Sequence, residues 1–297
     1  MRIVMAGATG FLGSALAARL RAERHRVTML TRRPRGPEDV QWDPGGPADD
    51  WAHVLDEADA VVNLAGESIA GGRWTPARKA ALRDSRIHST RALVEGITRA
   101  RRIPPTLLNA SAVGIYGPRG DERLTEDSPP GSDFLASLCG EWEAEAMAAD
   151  PITRVVLLRS GLVLHKDGGA LGRMALPFYL LAGGPLGSGC QYISWIHRDD
   201  WIEMVSWALE SSVLSGAVNL TAPSPVTNRE FARALGRVLH RPSFMPAPAF
   251  ALRAVLGEMA GAILTGQRVI PARAQSLGFK FRHPCLEPAL RAAYARG

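Results

Sequence analysis

The sequence predicts an α/β protein, in which a doubly wound parallel sheet is accompanied by a smaller C-terminal cap region. Two observations lead to this prediction. Short apolar runs alternate with helical patterns through the first two thirds of the 297 residues, which is typical of a parallel sheet covered by helices on both faces. After about residue 165, paired glycines and repeated prolines interrupt the alternation, which indicates a loop-rich region of different architecture.

The predicted elements follow from these runs in chain order. Apolar runs predict strands at residues 2–6, 27–31, 60–66, 106–111, 153–158 and 217–220. Helical patterns occupy residues 14–23, 76–101 and 139–149. The longest helix begins at Pro76, a first-turn position where a missing N–H is tolerated. Ligands of such a sheet are expected at the carboxyl ends of its strands.

The turn after the first strand predicts the ligand. Gly7, Gly10 and Gly13 form a G-x-x-G-x-x-G motif that follows the strand and opens a helix. Unpaired N–H groups and the helix dipole favour a phosphate at that end. The glycines allow a tight turn, close approach of a pyrophosphate and close helix packing. The alternative is a turn that needs glycine only for its backbone freedom.

The end of the second strand indicates which dinucleotide is bound. An acidic residue there holds the ribose of NAD, whereas arginine accommodates the 2′-phosphate of NADP. This strand ends in Thr31-Arg32-Arg33, and the nearest acids are Glu38 and Asp39. A hydroxyl and a forked guanidinium suit a phosphate, so the sequence predicts NADP.

Composition restricts the class of protein. A hydrophobic content of 46% with 22% charged residues is typical of a soluble globular protein. The net charge of +6 is spread along the chain without a basic run, which argues against nucleic acid as a partner. We expect no leader peptide, no membrane association and a monomer or homodimer. The three scattered cysteines favour a reducing, cytoplasmic location and no metal site.

Several motifs resemble those of the extended short-chain dehydrogenase/reductase superfamily, and more narrowly its atypical branch of epimerase family proteins. Besides the glycine turn, the motifs are Asn63–Glu67, Ser85-Arg86, Trp142-Glu143, Gly183–Gly189 and Trp195–His197. The resemblance implies a Rossmann domain at residues 1–164 and 190–221, and a substrate or cap region at 165–189 and 222–297. It implies NADP contacts at Gly7, Thr9, Gly10, Phe11, Leu12, Gly13, Thr31, Arg32, Leu64, Ala65, Gly66, Arg86 and Leu164.

The catalytic machinery of the superfamily is incomplete in this sequence. That machinery is a Ser or Thr with a Tyr and a Lys four residues apart on one helix face. None of the four tyrosines is followed by lysine at this spacing. Counting back from Tyr116, the usual hydroxyl position falls on Ala112, one residue after Ser111. We take Ser111 and Tyr116 as the candidate catalytic residues, with a strand-end hydroxyl and a packed aromatic as the alternatives.

Other side chains could also supply a proton, and these candidates are Cys139, Glu141, Glu145 and His197. Glu67 follows the carboxyl end of a strand, where we expect it to contact the substrate or the ribose. The leading expectation is an NADP(H)-dependent oxidoreductase that acts on a small organic substrate with a non-standard proton donor. One alternative is a nucleotide-sugar epimerase, whose chemistry relies on the missing tyrosine. The other is a non-catalytic NADPH-binding sensor protein.

Overall fold

The computed structural model describes residues 1–295. Thirteen strands are described there: β1 (Arg2–Ala6), β2 (Arg26–Thr31), β3 (Asp39–Gln41), β4 (Ala60–Asn63), β5 (Thr106–Ala112), β6 (Arg123–Leu124), β7 (Arg154–Ser160), β8 (Leu162–Leu164), β9 (Tyr192–Ile193), β10 (Trp195–His197), β11 (Gly216–Leu220), β12 (Val226–Thr227) and β13 (Arg268–Val269). The α-helices are α1 (Phe11–Ala22), α2 (Pro76–Arg99), α3 (Phe134–Met147), α4 (Leu171–Tyr179), α5 (Arg198–Glu210), α6 (Asn228–Leu239), α7 (Ala249–Leu256), α8 (Met259–Leu264), α9 (Ala272–Ser276) and α10 (Leu286–Tyr294).

Seven strands form one parallel sheet in the order β11-β7-β5-β4-β1-β2-β3. The chain winds outward in both directions from β1, so the predicted doubly wound α/β fold is confirmed. The sequence did not predict β3, because its three residues, Asp-Val-Gln, form no apolar run. The carboxyl ends of all seven strands lie on one edge, which places the glycine turn and the ends of β2, β4, β5 and β7 together.

Helices cover both faces of this sheet. On one face, Leu16 and Leu20 of α1 pack with Trp201 of α5 against the strands. On the other face, Leu93 of α2 and Ala146 of α3 belong to a second apolar cluster. Both clusters consist of buried side chains, which is why the strands read as continuous apolar runs. No helix within residues 1–295 is long and apolar enough to cross a membrane.

The cap region has its own apolar core, but it also reaches into the main one. Helices α4, α6 and α10 bury Phe178, Phe231 and Leu290 together. By contrast, Ala274 and Phe279 pack into the cluster that α1 and α5 form on the sheet, and β13 pairs with β6. This later segment of the predicted cap region therefore packs against the main sheet.

Two of the element boundaries that differ from the prediction do so for local reasons. Strand β4 ends at Asn63 rather than at residue 66, because the Asn63 amide oxygen accepts the N–H of Ala65 at 3.1 Å and turns the chain. Helix α3 begins at Phe134, five residues before its predicted start, because the Asp133 carboxylate accepts the N–H of Ala136 and caps the helix.

Candidate active site

The turn between β1 and α1 requires glycine at two positions. Gly7 has a φ of +77°, and a Cβ there would lie 2.5 Å from the backbone of Leu64. A Cβ on Gly13 would lie 2.2 Å from the Gly7 carbonyl oxygen, so only glycine lets α1 pass so close to the turn. A Cβ on Gly10 would meet only that oxygen, at 3.4 Å, and the outer side of the turn is open.

The first turn of α1 fits a phosphate group. The helix begins at Phe11 with Gly10 as its N-cap residue, and within residues 1–295 no side chain caps it. The N–H groups of its first turn therefore face outward at the positive end of the helix dipole. The structure brings together the predicted pyrophosphate contacts, with Thr9 exposed and Phe11 and Leu12 half-buried beside the glycines.

The residues that follow β2 are cationic, and no acidic residue stands directly after them in the sequence. The Thr31 hydroxyl accepts the N–H of Arg33 at 3.3 Å, and both Arg32 and Arg33 are exposed. The nearest acids are engaged elsewhere. Glu38 pairs with Arg21 at 3.3 Å, and the Asp39 carboxylate accepts the backbone N–H of Arg35 and Gly36 at 2.7 and 3.0 Å. This arrangement fits a 2′-phosphate better than a free ribose hydroxyl.

The end of β4 places a buried cation beside the predicted cofactor contacts Leu64, Ala65 and Gly66. Arg86 of α2 is 9% exposed, and a Cβ on Gly66 would lie 3.2 Å from its guanidinium carbon. The guanidinium donates to the carbonyls of Leu82 and Glu67 at 2.9 and 3.0 Å. Burial lowers the pKa of Arg86. Among the described residues no carboxylate forms an ion pair with it, so this cation suits an anionic ligand.

Leu164 does not reach the site with its side chain. It is fully buried in the core of the cap region, because β8 pairs with β10 and aligns Leu164 with His197. The loop that follows β8 does reach the glycine turn. Gly168 lies so close to the ring of Phe11 that a Cβ would approach it to 2.2 Å. The NADP contact expected at Leu164 stays a prediction, and the structure places Gly168 of the following loop, rather than the Leu164 side chain, beside the glycine turn.

Ser111, at the end of β5, is buried against α3. It is 4% exposed, and its hydroxyl donates to Glu143 of α3 at 2.6 Å. Two nitrogens of Arg159 donate to the same carboxylate, each at 2.8 Å. Burial alone would lower the pKa of Arg159, but the hydrogen bonds and charge of Glu143 outweigh it and raise that pKa. Because the Ser111 hydroxyl donates its hydrogen to Glu143, only its lone pairs remain for a ligand.

Tyr116 is also turned inward. It is fully buried, and its hydroxyl donates to the side-chain oxygen of Asn219 at 2.7 Å while it accepts from Arg159 at 2.9 Å. Burial raises its pKa. The ring lies under the Arg159 guanidinium, 5.2 Å from centroid to carbon. The structure does not bring this phenol to the open edge of the sheet, and its surroundings are those of the packed aromatic.

The helix face that should present the Tyr and Lys pair is apolar. Two residues of α3 that are four apart, Leu135 and Cys139, flank Gly114 at the end of β5. A Cβ on Gly114 would lie 3.3 Å from the Cβ of Leu135 and 3.9 Å from the Cys139 sulfur. Burial, followed by the charge of Glu143, raises the pKa of Cys139 to about 12. The thiol is therefore neutral at physiological pH.

The remaining candidate side chains are bound elsewhere. Three surface carboxylates form ion pairs with arginines of α2, as follows: Glu67 with Arg78, Glu141 with Arg83, and Glu145 with Arg91. His197 is 2% exposed and caps α5 by accepting the N–H of Asp199 at 3.2 Å. Burial and then the neighbouring His283 lower the pKa of His197 to about 4, so its imidazole is neutral.

The buried pair of Glu143 and Arg159 is the feature of the candidate site that the sequence did not reveal. The two residues lie 16 positions apart on different elements, and no periodic pattern connects them. Glu143 stands in the Trp-Glu motif and Arg159 at the end of a predicted strand, but charged residues in such positions are more often solvated. Only the packing of α3 against β5 and β7 shows that they meet.

Comparison with known proteins agrees with this geometry. Residues 3–220 match the model of the NAD dependent epimerase/dehydratase family, and residues 247–293 match a domain of unknown function, DUF1731. The chain belongs to the NAD dependent epimerase/dehydratase family. Its predicted resemblance to the epimerase family proteins is confirmed by relatives that bear this name.

Two relatives from this epimerase family and two solved structures illustrate the similarity. The SDR39U1 homolog of Arabidopsis thaliana, named as chloroplastic, is 44% identical over 98% of this chain and 86% of its own length. YfhF of Bacillus subtilis is 41% identical over 98% of this chain and 97% of its own. The crystal structure of human SDR39U1 with NADPH has a TM-score of 0.91 at 39% identity, covering 98% of both chains. A Thermus thermophilus UDP-glucose 4-epimerase with NAD, at 20% identity and TM-score 0.77, shares the fold.

Proposed function

We propose that this epimerase-family protein is an NADP(H)-dependent oxidoreductase that acts on a small organic substrate. The observation that supports NADP most directly is the end of β2, where Arg32 and Arg33 are exposed and both nearby acids are engaged. The NADPH in the human relative supports the same cofactor. The first turn of α1 would hold the pyrophosphate, Thr31 and Arg32 the 2′-phosphate, and Arg86 a further anionic group. When bound, the nicotinamide supplies a hydride donor or acceptor.

The protein groups around this site favour an oxidoreductase over a nucleotide-sugar epimerase. Leu135 and Cys139 occupy the helix face where the superfamily places its tyrosine and lysine, and Tyr116 is fully buried. The base that sugar epimerisation requires is therefore missing from that face. The description of one solved structure points to the epimerase instead. That structure is 34% identical, is described as a nucleoside-diphosphate sugar epimerase, and matches this chain over 57% of its own length.

The three free thiols fit the predicted cytoplasmic location.

Cofactor titration tests the first half of this proposal. NADPH and NADH are titrated into the wild-type chain, into Arg32→Ala and into Arg35→Ala, an exposed arginine three residues later that serves as the control. We expect NADPH to bind the wild type at least ten times more tightly than NADH. Arg32→Ala should weaken NADPH by roughly 10- to 100-fold, the equivalent of one charge-assisted hydrogen bond, and leave NADH unchanged. Equal affinity of the wild type for both nucleotides would contradict the assignment.

Hydride transfer is tested separately. The wild-type chain and NADPH are mixed with panels of aldehydes, ketones and quinones, and the absorbance of the reduced nicotinamide is followed. Acceptor-dependent oxidation supports the oxidoreductase. Tight binding of NADPH without oxidation by any acceptor would favour the non-catalytic sensor protein, and turnover of a nucleotide sugar would favour the epimerase.

A further inference from the structure

The outer surface of the cap region carries a group of apolar side chains that nothing in the described part of the chain covers. Nine large apolar side chains within residues 1–295 are at least 49% exposed, and eight of them lie in two cap segments, residues 168–189 and 240–257. They are Leu176, Tyr179, Leu180 and Leu181 in the first segment, and Phe244, Met245, Phe250 and Val255 in the second. Single exposed apolar residues are normal, whereas a group of this size marks a surface that contacts another molecule or a membrane.

A backbone hydrogen bond places the two cap segments side by side. The N–H of Met245 donates to the carbonyl of Gly183 at 3.0 Å. Met245 follows Phe244 directly, and Gly183 lies two residues after Leu181. The exposed residues at the end of α4 and those in the loop before α7 are therefore neighbours on the surface.

Helix α7 lies on the surface beside these residues. A Cβ on Gly187 of the first cap segment would lie 3.9 Å from the Cβ of Ala249, the first residue of α7. The helix contacts α8, but none of its eight residues is buried. Phe250 and Val255 are 75% and 69% exposed, and Arg253, one turn after Phe250, is exposed as well. α7 thus presents apolar and cationic side chains together.

The acidic and basic residues of the two cap segments are all basic. The segments contain Arg173, Arg241 and Arg253, and no Asp or Glu. Within residues 1–295 none of these arginines forms an ion pair, and Arg173 and Arg241 donate to backbone carbonyls instead. Glu258, which follows the second segment directly, pairs with Lys79. The positive charge of this surface is therefore not neutralised by acids of the segments themselves.

Exposed apolar side chains accompanied by arginines and by no acids are complementary to the surface of an anionic bilayer. The apolar side chains enter the boundary between headgroups and acyl chains, while the guanidinium groups reach the phosphates. We propose that the two cap segments bind the surface of membranes that contain anionic phospholipids. Such binding leaves no long apolar run in the sequence, which is why no membrane association was expected from it. It depends neither on the cofactor nor on the reaction proposed above.

Vesicle flotation measures this binding directly. The full chain is mixed with vesicles of phosphatidylcholine alone, or of phosphatidylcholine and phosphatidylglycerol in equal parts, and the bound fraction is followed against lipid concentration. We expect binding to the anionic vesicles to be at least about tenfold tighter, because each arginine near the surface contributes about fivefold. Salt at about 1 M should weaken it severalfold, since it screens the charges. No binding to either kind of vesicle would overturn the proposal.

Leu180→Asp and a matched control locate the bound surface. Leu180 is 78% exposed in the first cap segment, whereas Val213, 76% exposed, lies outside both segments in the loop between α5 and β11. Aspartate adds the same negative charge at either position. We expect at least about tenfold weaker binding to anionic vesicles in Leu180→Asp, and less than about a twofold change in Val213→Asp. Far-UV circular dichroism verifies that both variants are folded. Equal losses in the two variants would overturn the proposal, because binding would then depend on net charge alone.

The contribution of the arginines is measured in the same assay. Arg253→Gln removes a cation from α7, and Arg35→Gln removes an exposed cation that lies outside both cap segments. We expect about fivefold weaker binding in Arg253→Gln and less than about a twofold change in Arg35→Gln. The same effect in both variants would contradict the proposed complementarity between this surface and anionic lipid.

A second copy of the chain is the competing occupant of this surface. Analytical ultracentrifugation of the wild type, Leu180→Asp and Val213→Asp in the absence of lipid tests it. We expect all three proteins to sediment as the same species. A dimer that only Leu180→Asp dissociates, together with no vesicle binding by the wild type, would overturn the proposal and assign the two cap segments to a contact between copies.

Discussion

Arg159 holds Glu143 through two parallel hydrogen bonds of 2.8 Å, in a pair whose side chains are only 12% and 10% exposed. The pair joins the end of β7 to α3. Around it the hydroxyls of Ser111 and Tyr116 complete a single buried polar network. A bidentate guanidinium and carboxylate pair of this kind is fixed in geometry and costly to leave half-formed.

Removal of the carboxylate should destabilise the whole domain. Glu143→Ala leaves the Arg159 cation buried without a partner, which costs about 3–5 kcal/mol in comparable cases. The control is Glu145→Ala, two residues later on α3, whose partner Arg91 is 51% exposed; we expect less than about 1 kcal/mol there. Urea unfolding of the two variants measures both losses. Equal losses would mean that Glu143 is solvated in the native protein.

Removal of the Tyr116 hydroxyl shows whether this side chain has a structural role or a catalytic one. Tyr116→Phe leaves the side-chain oxygen of Asn219 without its donor, and we expect a loss of about 1–2 kcal/mol of stability. NADPH affinity should change less than twofold, because the hydroxyl lies inside the network. The measurements are urea unfolding and NADPH titration. An intact unfolding curve together with at least 100-fold slower oxidation of NADPH would identify Tyr116 as the proton donor after all.

The close packing of the glycine turn can be tested by the addition of a single methyl group. Gly13→Ala places a Cβ only 2.2 Å from the Gly7 carbonyl oxygen and 2.8 Å from the Ala8 Cα, so the backbone of the turn must shift to accept it. We expect NADPH to bind at least about tenfold more weakly and stability to fall by about 1–3 kcal/mol.

Gly261→Ala is the matched control for that variant. Gly261 is exposed within α8, and a Cβ there would meet no atom within 4 Å. Alanine should stabilise that helix by up to about 1 kcal/mol and leave NADPH binding unchanged. Undiminished binding in Gly13→Ala would show that the turn can relax.

The lowered pKa of His197 predicts how the stability of the protein depends on pH. Its folded-state pKa is lowered to about 4 by burial and by His283, below the value of about 6.5 in the unfolded chain. Between these values the unfolded chain binds more protons, so stability rises with pH and is lost as pH falls from about 6.5 to 4. The full difference corresponds to about 3 kcal/mol.

A variant isolates this contribution from those of other groups. His197→Asn keeps a side chain that can cap α5 but removes the titration. We expect a smaller fall in urea midpoint between pH 7 and pH 5 than in the wild type. The same pH dependence in both proteins would assign the effect to other groups, such as His165, whose pKa burial also lowers.

Local signals in the sequence were sufficient for the sheet and for the position of the glycine turn. The strands are continuous apolar runs because both faces of the sheet are buried, and the glycine turn is specified by adjacent residues. Arg32 could be placed at the end of β2 because it follows that strand directly, and its contact with the cofactor stays a prediction. In each case the determining contacts lie within about ten residues, where spacing and residue type are informative.

The interior of the candidate site was less accessible to prediction because its contacts are distant in sequence. Whether Ser111 points to a ligand or to Glu143 depends on a residue 32 positions away. Tyr116 meets Asn219 across 103 positions. The residue type is the same whether its hydroxyl contacts a ligand or a neighbouring side chain. Only the packing of α3 and β11 decides between these two roles.

The late entry of residues 268–290 into both cores has a consequence for synthesis of the chain. Ala274 and Phe279 complete the apolar layer under α1 and α5, and Leu290 completes the core of the cap region. A ribosome-bound chain lacks these residues for a long interval after the glycine turn has been made. Because domains fold as units during synthesis, we expect the glycine turn to gain its final rigidity only after residues 268–290 have been added and packed.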